Sequence, residues 1–121
     1  MDLSKFTAID TLDVTIQHSA FEEGKEPVFT MAGPCHFATK KADKVRTDAI
    51  TKARGKNFDS EKLATTHVSA RVLGWKNITW EGKPLEWSPE NALMVLSTPA
   101  LKFIKDQIHV ALGDDESFFT V

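Results

Sequence analysis

The chain has 121 residues, of which 41% are apolar and 26% charged, and its formal net charge is −2. These values are ordinary for one globular domain. A chain of this length buries about two thirds of its unfolded surface, which is enough for a hydrophobic core without disulfides or bound metal ions. The small negative charge gives the molecule no strong overall attraction to nucleic acid or to acidic membranes.

The first third of the chain predicts a β-hairpin. Residues Leu12–Gln17 alternate apolar and polar side chains, which is typical of a half-buried strand. Val28–Ala32 forms a second candidate strand, and Glu22–Pro27 supplies the turn between them. Because a lone hairpin is marginal in water, we expect it to lie on helices or to pair with another strand.

Two helices are predicted after the hairpin. The first runs from about Phe37 to Ala53, where apolar residues recur at helical spacing, and Gly55 is a natural cap for its C-terminus. The second starts at Asp59 or Ser60 and runs to about Leu73. Val72 and Trp75 continue its apolar stripe, so we expect this helix to deliver Trp75 to its buried face, with Gly74 as the cap.

All three tryptophans, Trp75, Trp80 and Trp87, fall between Val72 and Leu96. Residues Glu81–Pro84 predict a tight turn between two extended arms. Each tryptophan would bury on the order of 200 Å², so the three form a wall of the core, or one of Trp80 and Trp87 stays partly exposed as an interface anchor.

The clearest helix start follows that turn. Ser88 is placed to act as an N-cap and Pro89 occupies the first helical position, so a short helix is predicted over Pro89–Leu96. Thr98 and Pro99 repeat the pattern before a last helix, Pro99–Leu112. The predicted fold is therefore α+β, with an N-terminal β-hairpin packed on a small bundle of about four helices. We expect one domain over residues 1–121, with a short flexible C-terminal tail at about 114–121.

Side chains that carry chemistry are scattered. The histidines are widely spaced, without the short helical spacing of a zinc site: His18, His36, His67 and His109. Cys35 and His36 are adjacent, but neighbours in sequence rarely face one another, so a packed loop cysteine is the better interpretation. The single cysteine also excludes an intrachain disulfide and favours a reducing compartment such as the cytosol. We expect no enzyme activity, no metal and no cofactor.

One local charge pattern stands out. Residues Lys40–Lys56 contain seven basic side chains and only two acidic ones. Such a helix could follow a phosphate backbone. Without interleaved aromatic residues, a solvated face is the better interpretation, or a surface that meets an acidic part of another subunit, such as the tail at Asp114–Glu116. We therefore do not expect nucleic-acid binding.

The chain also carries more apolar residues than one small core consumes. Phe103 and Val110 lie off the main stripe of the last helix, and Phe118 and Phe119 lie beyond its end. A surplus of this kind is typical of self-association or of capture of a partner helix.

The order of these segments resembles the tail assembly chaperones of long-tailed bacteriophages over nearly the whole chain. The resemblance is carried by four segments and by the Phe-containing tail: Met31–Lys40 (MAGPCHFATK), Gly74–Leu85 (GWKNITWEGKPL), Trp87–Ala92 (WSPENA) and Phe103–Ile108 (FIKDQI). It is most specific from Gly74 to Leu96 and weak over the first dozen residues. None of these segments is a catalytic motif.

The resemblance implies a non-enzymatic protein of the host cell cytoplasm. Such proteins bind the tape measure protein before the tail tube polymerises, self-associate around it, often exist in a longer frameshifted form, and are absent from the finished virion. No membrane partner is implied. By analogy, partner binding would fall on apolar residues outside the core stripes: Trp80, Trp87, Phe103, Val110, Phe118 and Phe119.

Two alternatives stay open on the sequence. The first is a structural virion subunit, such as a tail-tube or head-to-tail completion protein. The second is a small nucleic-acid-binding regulator that uses the basic segment Lys40–Lys56.

Overall fold

A computed structural model describes residues 2–54, 56–113 and 119–120 of the chain. The four helices are α1 (Phe37–Ala53), α2 (Ser60–Ala70), α3 (Pro89–Ser97) and α4 (Lys102–Leu112). The strands are β1 (Thr7–Ala8), β2 (Thr11–Thr15), β3 (Val28–Ala32), β4 (Val72–Lys76), β5 (Thr79–Trp80), β6 (Lys83–Pro84) and β7 (Phe119–Thr120). Short 3-10 helices cover Leu3–Lys5 and Pro99–Leu101. The predicted α+β fold, a β-hairpin on four helices, is confirmed.

The predicted hairpin is present as β2 and β3, which pair antiparallel with Val14 opposite Phe29. The alternation in β2 works as expected: Val14 is buried, while Asp13 faces solvent and accepts a hydrogen bond from the Thr30 hydroxyl at 2.8 Å. β4 adds to the other edge of β3, giving an antiparallel sheet in the order β2-β3-β4.

The expectation that the second helix continues to Leu73 is wrong. α2 ends at Ala70, and the chain turns at once into β4, where Trp75 lies opposite Phe29 and Gly74 opposite Thr30 rather than capping a helix. The Trp75 and Phe29 rings meet edge to face, with centroids 5.7 Å apart. Spacing alone misleads here because Val72 and Trp75 are three residues apart, which fits a helical face, whereas pairing with β3 depends on residues more than forty positions away.

The helix starts follow the local chemistry. Ser88 accepts the Asn91 amide at 3.1 Å, as predicted, and Asp59 accepts the Lys62 amide at 2.9 Å. Thr98 takes the N-cap position before Pro99, as predicted, but its hydroxyl makes no capping hydrogen bond: it donates to the Met94 carbonyl at 2.8 Å, and the chain passes through a 3-10 turn before α4. α1 ends at Ala53, and its C-cap residue Arg54 adopts a left-handed conformation with φ 50°. The predicted cap Gly55 lies outside the described residues.

The tryptophan segment contains a second, two-residue hairpin. β5 and β6 are joined by Glu81 and Gly82, both with positive φ (51° and 80°), as a tight turn matched to strand twist requires. The Trp75 indole N–H donates to the Leu85 carbonyl at 2.8 Å and holds this hairpin against the main sheet.

One face of the sheet packs on α2, α3 and α4. The sheet contributes Val14, Ile16, Phe29, Met31 and Val72 to the core, and the helices contribute Val68, Ala92, Val95, Leu96, Ile104 and Ile108. α1 supplies only Thr39 and Ala42 as buried residues and packs mainly against α2. It is therefore an outer helix, with most of its surface in contact with solvent.

The chain ends approach one another through β1 and β7, which pair antiparallel over two residues each, with Ala8 opposite Phe119. The predicted flexible tail at 114–121 thus includes a short strand at residues 119–120, and its remaining residues lie outside the described part. Cys35 lies in the turn before α1 and is exposed, so the expectation of a packed cysteine is wrong.

Arg71 stabilises the junction between α2 and β4 through hydrogen bonds to Ala32. Its guanidinium donates twice to the Ala32 carbonyl, from Nη2 at 2.8 Å and from Nε at 3.2 Å, while its own carbonyl accepts the Ala32 amide at 2.8 Å. Burial lowers the pKa of the Arg71 guanidinium, and the Asp43 carboxylate acts in the opposite direction.

Replacing Arg71 with Met keeps the length of the side chain but removes both donors to the Ala32 carbonyl. We expect the free energy of unfolding in urea to fall by about 2 kcal/mol, because a partly buried acceptor loses its charged partner. The exposed Arg46 is the control, and Arg46→Met should change the value by less than about 0.5 kcal/mol. Equal effects of the two substitutions would contradict the role given to Arg71.

Candidate partner-binding surface

A surface groove runs between α1 and α2 and is closed at one end by Trp87 and Pro89, at the start of α3. We call it the α1–α2 groove; its volume is about 380 Å³. It is lined by Phe37, Ala38, Lys41, Ala42, Val45, Arg46, Leu63, Thr66, His67, Ser69, Ala70, Val72, Leu73, Trp87 and Pro89. α1 packs mainly against α2, and most of its other residues are exposed.

Three large apolar side chains of the groove are open to solvent. The exposed fraction is 76% for Phe37, 53% for Val45 and 39% for Trp87. Single exposed apolar residues are common on soluble proteins, but several that line one concave surface are typical of a protein-binding site. Trp87 is well suited to anchor such a contact because tryptophan buries a large area with little loss of side-chain freedom.

The charge around the groove is positive. Lys41 and Arg46 line it, and no aspartate or glutamate is among its lining residues. Asp48 lies 4.0 Å from Lys44, and Asp43, beside the groove, is engaged with the lining residue His67 at 2.6 Å. Within the described residues neither Lys41 nor Arg46 forms an ion pair, so the two charges at the groove are not compensated.

His67 and Asp43 form the one close pairing of histidine and carboxylate among the described side chains. The contact joins His67 Nε2 to Asp43 Oδ1, and it ties α2 to α1 beside the groove. In the described part of the chain, no hydroxyl or thiol is hydrogen-bonded to this imidazole. The geometry is that of a helix-to-helix link.

Trp80 lines a different groove, which shares no lining residue with the α1–α2 groove. This second groove, of about 660 Å³, lies between the β5–β6 hairpin, the loop after β2 and the helices α3 and α4. Phe21, Ile78 and Leu101 are among its lining residues, and Trp80 is half-buried against the core. The structure therefore places Trp80 and Trp87 in separate grooves.

Phe103 is part of an aromatic cluster. Its ring centroid lies 4.8 Å from that of His18 and 6.3 Å from that of Phe21, which also lines the second groove. Next to this cluster Gln107 exchanges two 2.8 Å hydrogen bonds with the Gln17 backbone. Phe103 thus holds the loop after β2 onto α4, which is a structural contact.

The other three predicted residues lie elsewhere. Val110 has an exposed fraction of 77% and lines neither groove. Phe119 belongs to β7, and Phe118 lies outside the described residues. Of the four predicted residues whose side chains the structure describes, Trp80, Trp87, Phe103 and Val110, only Trp87 lines the α1–α2 groove.

Phe37 and Val45 were not among the predicted site residues. Val45 is one of the apolar residues that recur at helical spacing in α1, and Phe37 stands at the first position of that helix. One signal was available: the stripe of α1 consists mostly of alanine, which buries little area, so Val45 and Ile50 had few large apolar neighbours on their own helix.

Within residues 2–54, 56–113 and 119–120, no three His, Cys, Asp or Glu side chains are grouped so that they could bind a metal ion. Of the helices in that part of the chain, none combines the length and apolar character needed to span a bilayer. In comparisons with protein-family models, with curated proteins and with solved structures, no match to this chain is found.

The different settings of Phe103 and Val110 give a direct test. Phe103→Ala should lower the free energy of unfolding by about 2 kcal/mol, because the aromatic cluster loses its central ring. Val110→Ser should change the free energy of unfolding by less than about 0.5 kcal/mol, because the Val110 side chain is largely exposed to solvent. Urea unfolding followed by tryptophan fluorescence measures both. If Val110→Ser lowered the free energy of unfolding as much as Phe103→Ala, the Val110 side chain would have to pack against other residues.

Proposed function

We propose that this chain is a non-enzymatic tail assembly chaperone of a long-tailed bacteriophage, which self-associates and binds the tape measure protein in the host cytoplasm. The observation that supports this most is the α1–α2 groove, where Phe37, Val45 and Trp87 remain exposed on a folded domain. The segments that resemble such chaperones include Trp87 and the start of α1.

The chemistry of the groove suits a helical client. A long helical protein that has not yet been enclosed by the tail tube exposes apolar stripes, and these stripes promote aggregation in water. A groove between two helices covers such a stripe by packing against side chains at positions i, i+3, i+4 and i+7.

Self-association strengthens the binding of a long helical client. A single groove of this size covers a few turns of helix, whereas several copies arranged along one client raise the effective concentration of each further groove. The apolar residues outside the α1–α2 groove, Leu93, Met94 and Val110 among them, leave surface for contacts between copies.

Co-expression with fragments of a tape measure protein tests the proposal. We expect a soluble complex that co-purifies with this chain, and we expect Val45→Asp to reduce the recovered complex at least tenfold, since a carboxylate in the groove opposes apolar packing. The matched control is Ile50→Asp, which adds the same charge to an exposed apolar position of α1 outside the groove; it should leave the complex intact.

Failure of every tape measure fragment to co-purify with the wild-type chain would contradict the proposed function. Mass spectrometry of purified particles separates the chaperone from a virion subunit, because a chaperone leaves before the particle is complete. Recovery of the chain in stoichiometric amounts from particles would therefore assign it to the virion.

A further inference from the structure

We infer that the α1–α2 groove binds an amphipathic helix whose apolar stripe is flanked by aspartate and glutamate side chains. The inference deepens the proposed function and rests on it only in taking the occupant to be a helical protein. It specifies the charge of the partner, which the resemblance to chaperones does not.

The shape of the groove indicates a helix. On α1 the lining runs from Phe37 to Arg46, a distance of about 14 Å along the helix at 1.5 Å per residue. A length of 14 Å matches two to three turns of a partner helix, which present three or four apolar side chains on one side. Phe37, Val45 and Trp87 are the large apolar side chains of the groove that remain exposed, so they are positioned to contact those residues.

The charge indicates acidic flanks. Lys41 and Arg46 are exposed and without ion pairs in the described part of the chain, and the lining contains no carboxylate that would repel an acidic partner. Charges at the edge of an interface act mainly by attracting the correct partner and by opposing like-charged ones. A partner helix flanked by Lys or Arg would be repelled by both Lys41 and Arg46.

The same charges disfavour a second copy of this face as the occupant. In an isologous contact each patch meets itself, so the groove would bring Lys41 and Arg46 of one copy close to the same residues of the other. Such a contact would hold four positive charges together while it excludes water. A partner with acidic side chains neutralises them instead.

A pair of designed peptides of about 18 residues tests the inference, a length at which an isolated helix is stable enough to study. Both peptides carry one leucine stripe; one is flanked by glutamate and the other by lysine. With labelled peptide and fluorescence anisotropy, we expect the glutamate peptide to bind wild-type protein at least about tenfold more tightly at about 50 mM salt. The difference should shrink to less than about threefold at about 0.5 M salt, where exposed charges are screened.

Charge reversal provides the matched comparison. In the double variant K41E/R46E the lysine peptide should bind more tightly than the glutamate peptide. The control K40E/K52E makes the same change in net charge on exposed positions of α1 outside the groove, and it should retain the wild-type preference. Circular dichroism establishes that each variant is folded.

Three results would overturn the inference: equal binding of the two peptides by the wild-type chain, no binding of either, or a preference unchanged in K41E/R46E. A fourth would reassign the groove: tighter binding of a peptide with the sequence of residues 113–121, lost in V45D, would make the acidic, phenylalanine-containing tail of another copy the occupant. These outcomes are independent of the proposed function, because a tape measure fragment can co-purify through another surface, and a charge-selective groove can exist without one.

Discussion

The junction between α2 and β4 determines the arrangement of the whole molecule. At this point Arg71 links to Ala32 through its backbone carbonyl and its guanidinium, so the end of β3 and the start of β4 are fixed to one another across 39 residues of chain. A charged donor on a partly buried carbonyl is among the stronger hydrogen bonds of a protein, since water competes poorly with it. Once β4 is placed, Trp75 reaches Phe29 from one side and Leu85 from the other, which positions the second hairpin.

The position of α1 follows from that arrangement. The three-stranded sheet is covered on one face by α2, α3 and α4, whose apolar residues complete the core. α1 packs mainly against α2, and its buried residues are Thr39 and Ala42, side chains that bury little area. The α1–α2 groove is the consequence, and Trp87 lies at its end because α3 starts beside α2.

The groove combines two features that a purely structural surface has little reason to keep. Phe37, Val45 and Trp87 leave apolar area in water, and Lys41 and Arg46 form no ion pair with any residue that the structure describes. Apolar contact supplies affinity, while charge at the edge supplies selectivity among partners. Together they support the proposals of a helical client and of its acidic character. The aromatic cluster around Phe103, by contrast, consists of contacts within the chain, with the rings of His18 and Phe21.

The amino-acid sequence by itself determined the local elements: the β2–β3 hairpin, the bounds of α1, the Ser88 cap of α3 and the tight turn at Glu81 and Gly82. Each depends on contacts between near neighbours, which the residue pattern carries directly. Only the tertiary structure decided that Val72–Lys76 is a strand and that Val45 of α1 lines a groove. It also decided that Phe103 packs on other aromatic rings while Val110 is exposed to solvent. Those outcomes depend on which distant segments meet, and an apolar residue has the same local pattern whether it meets a strand, a ring or solvent.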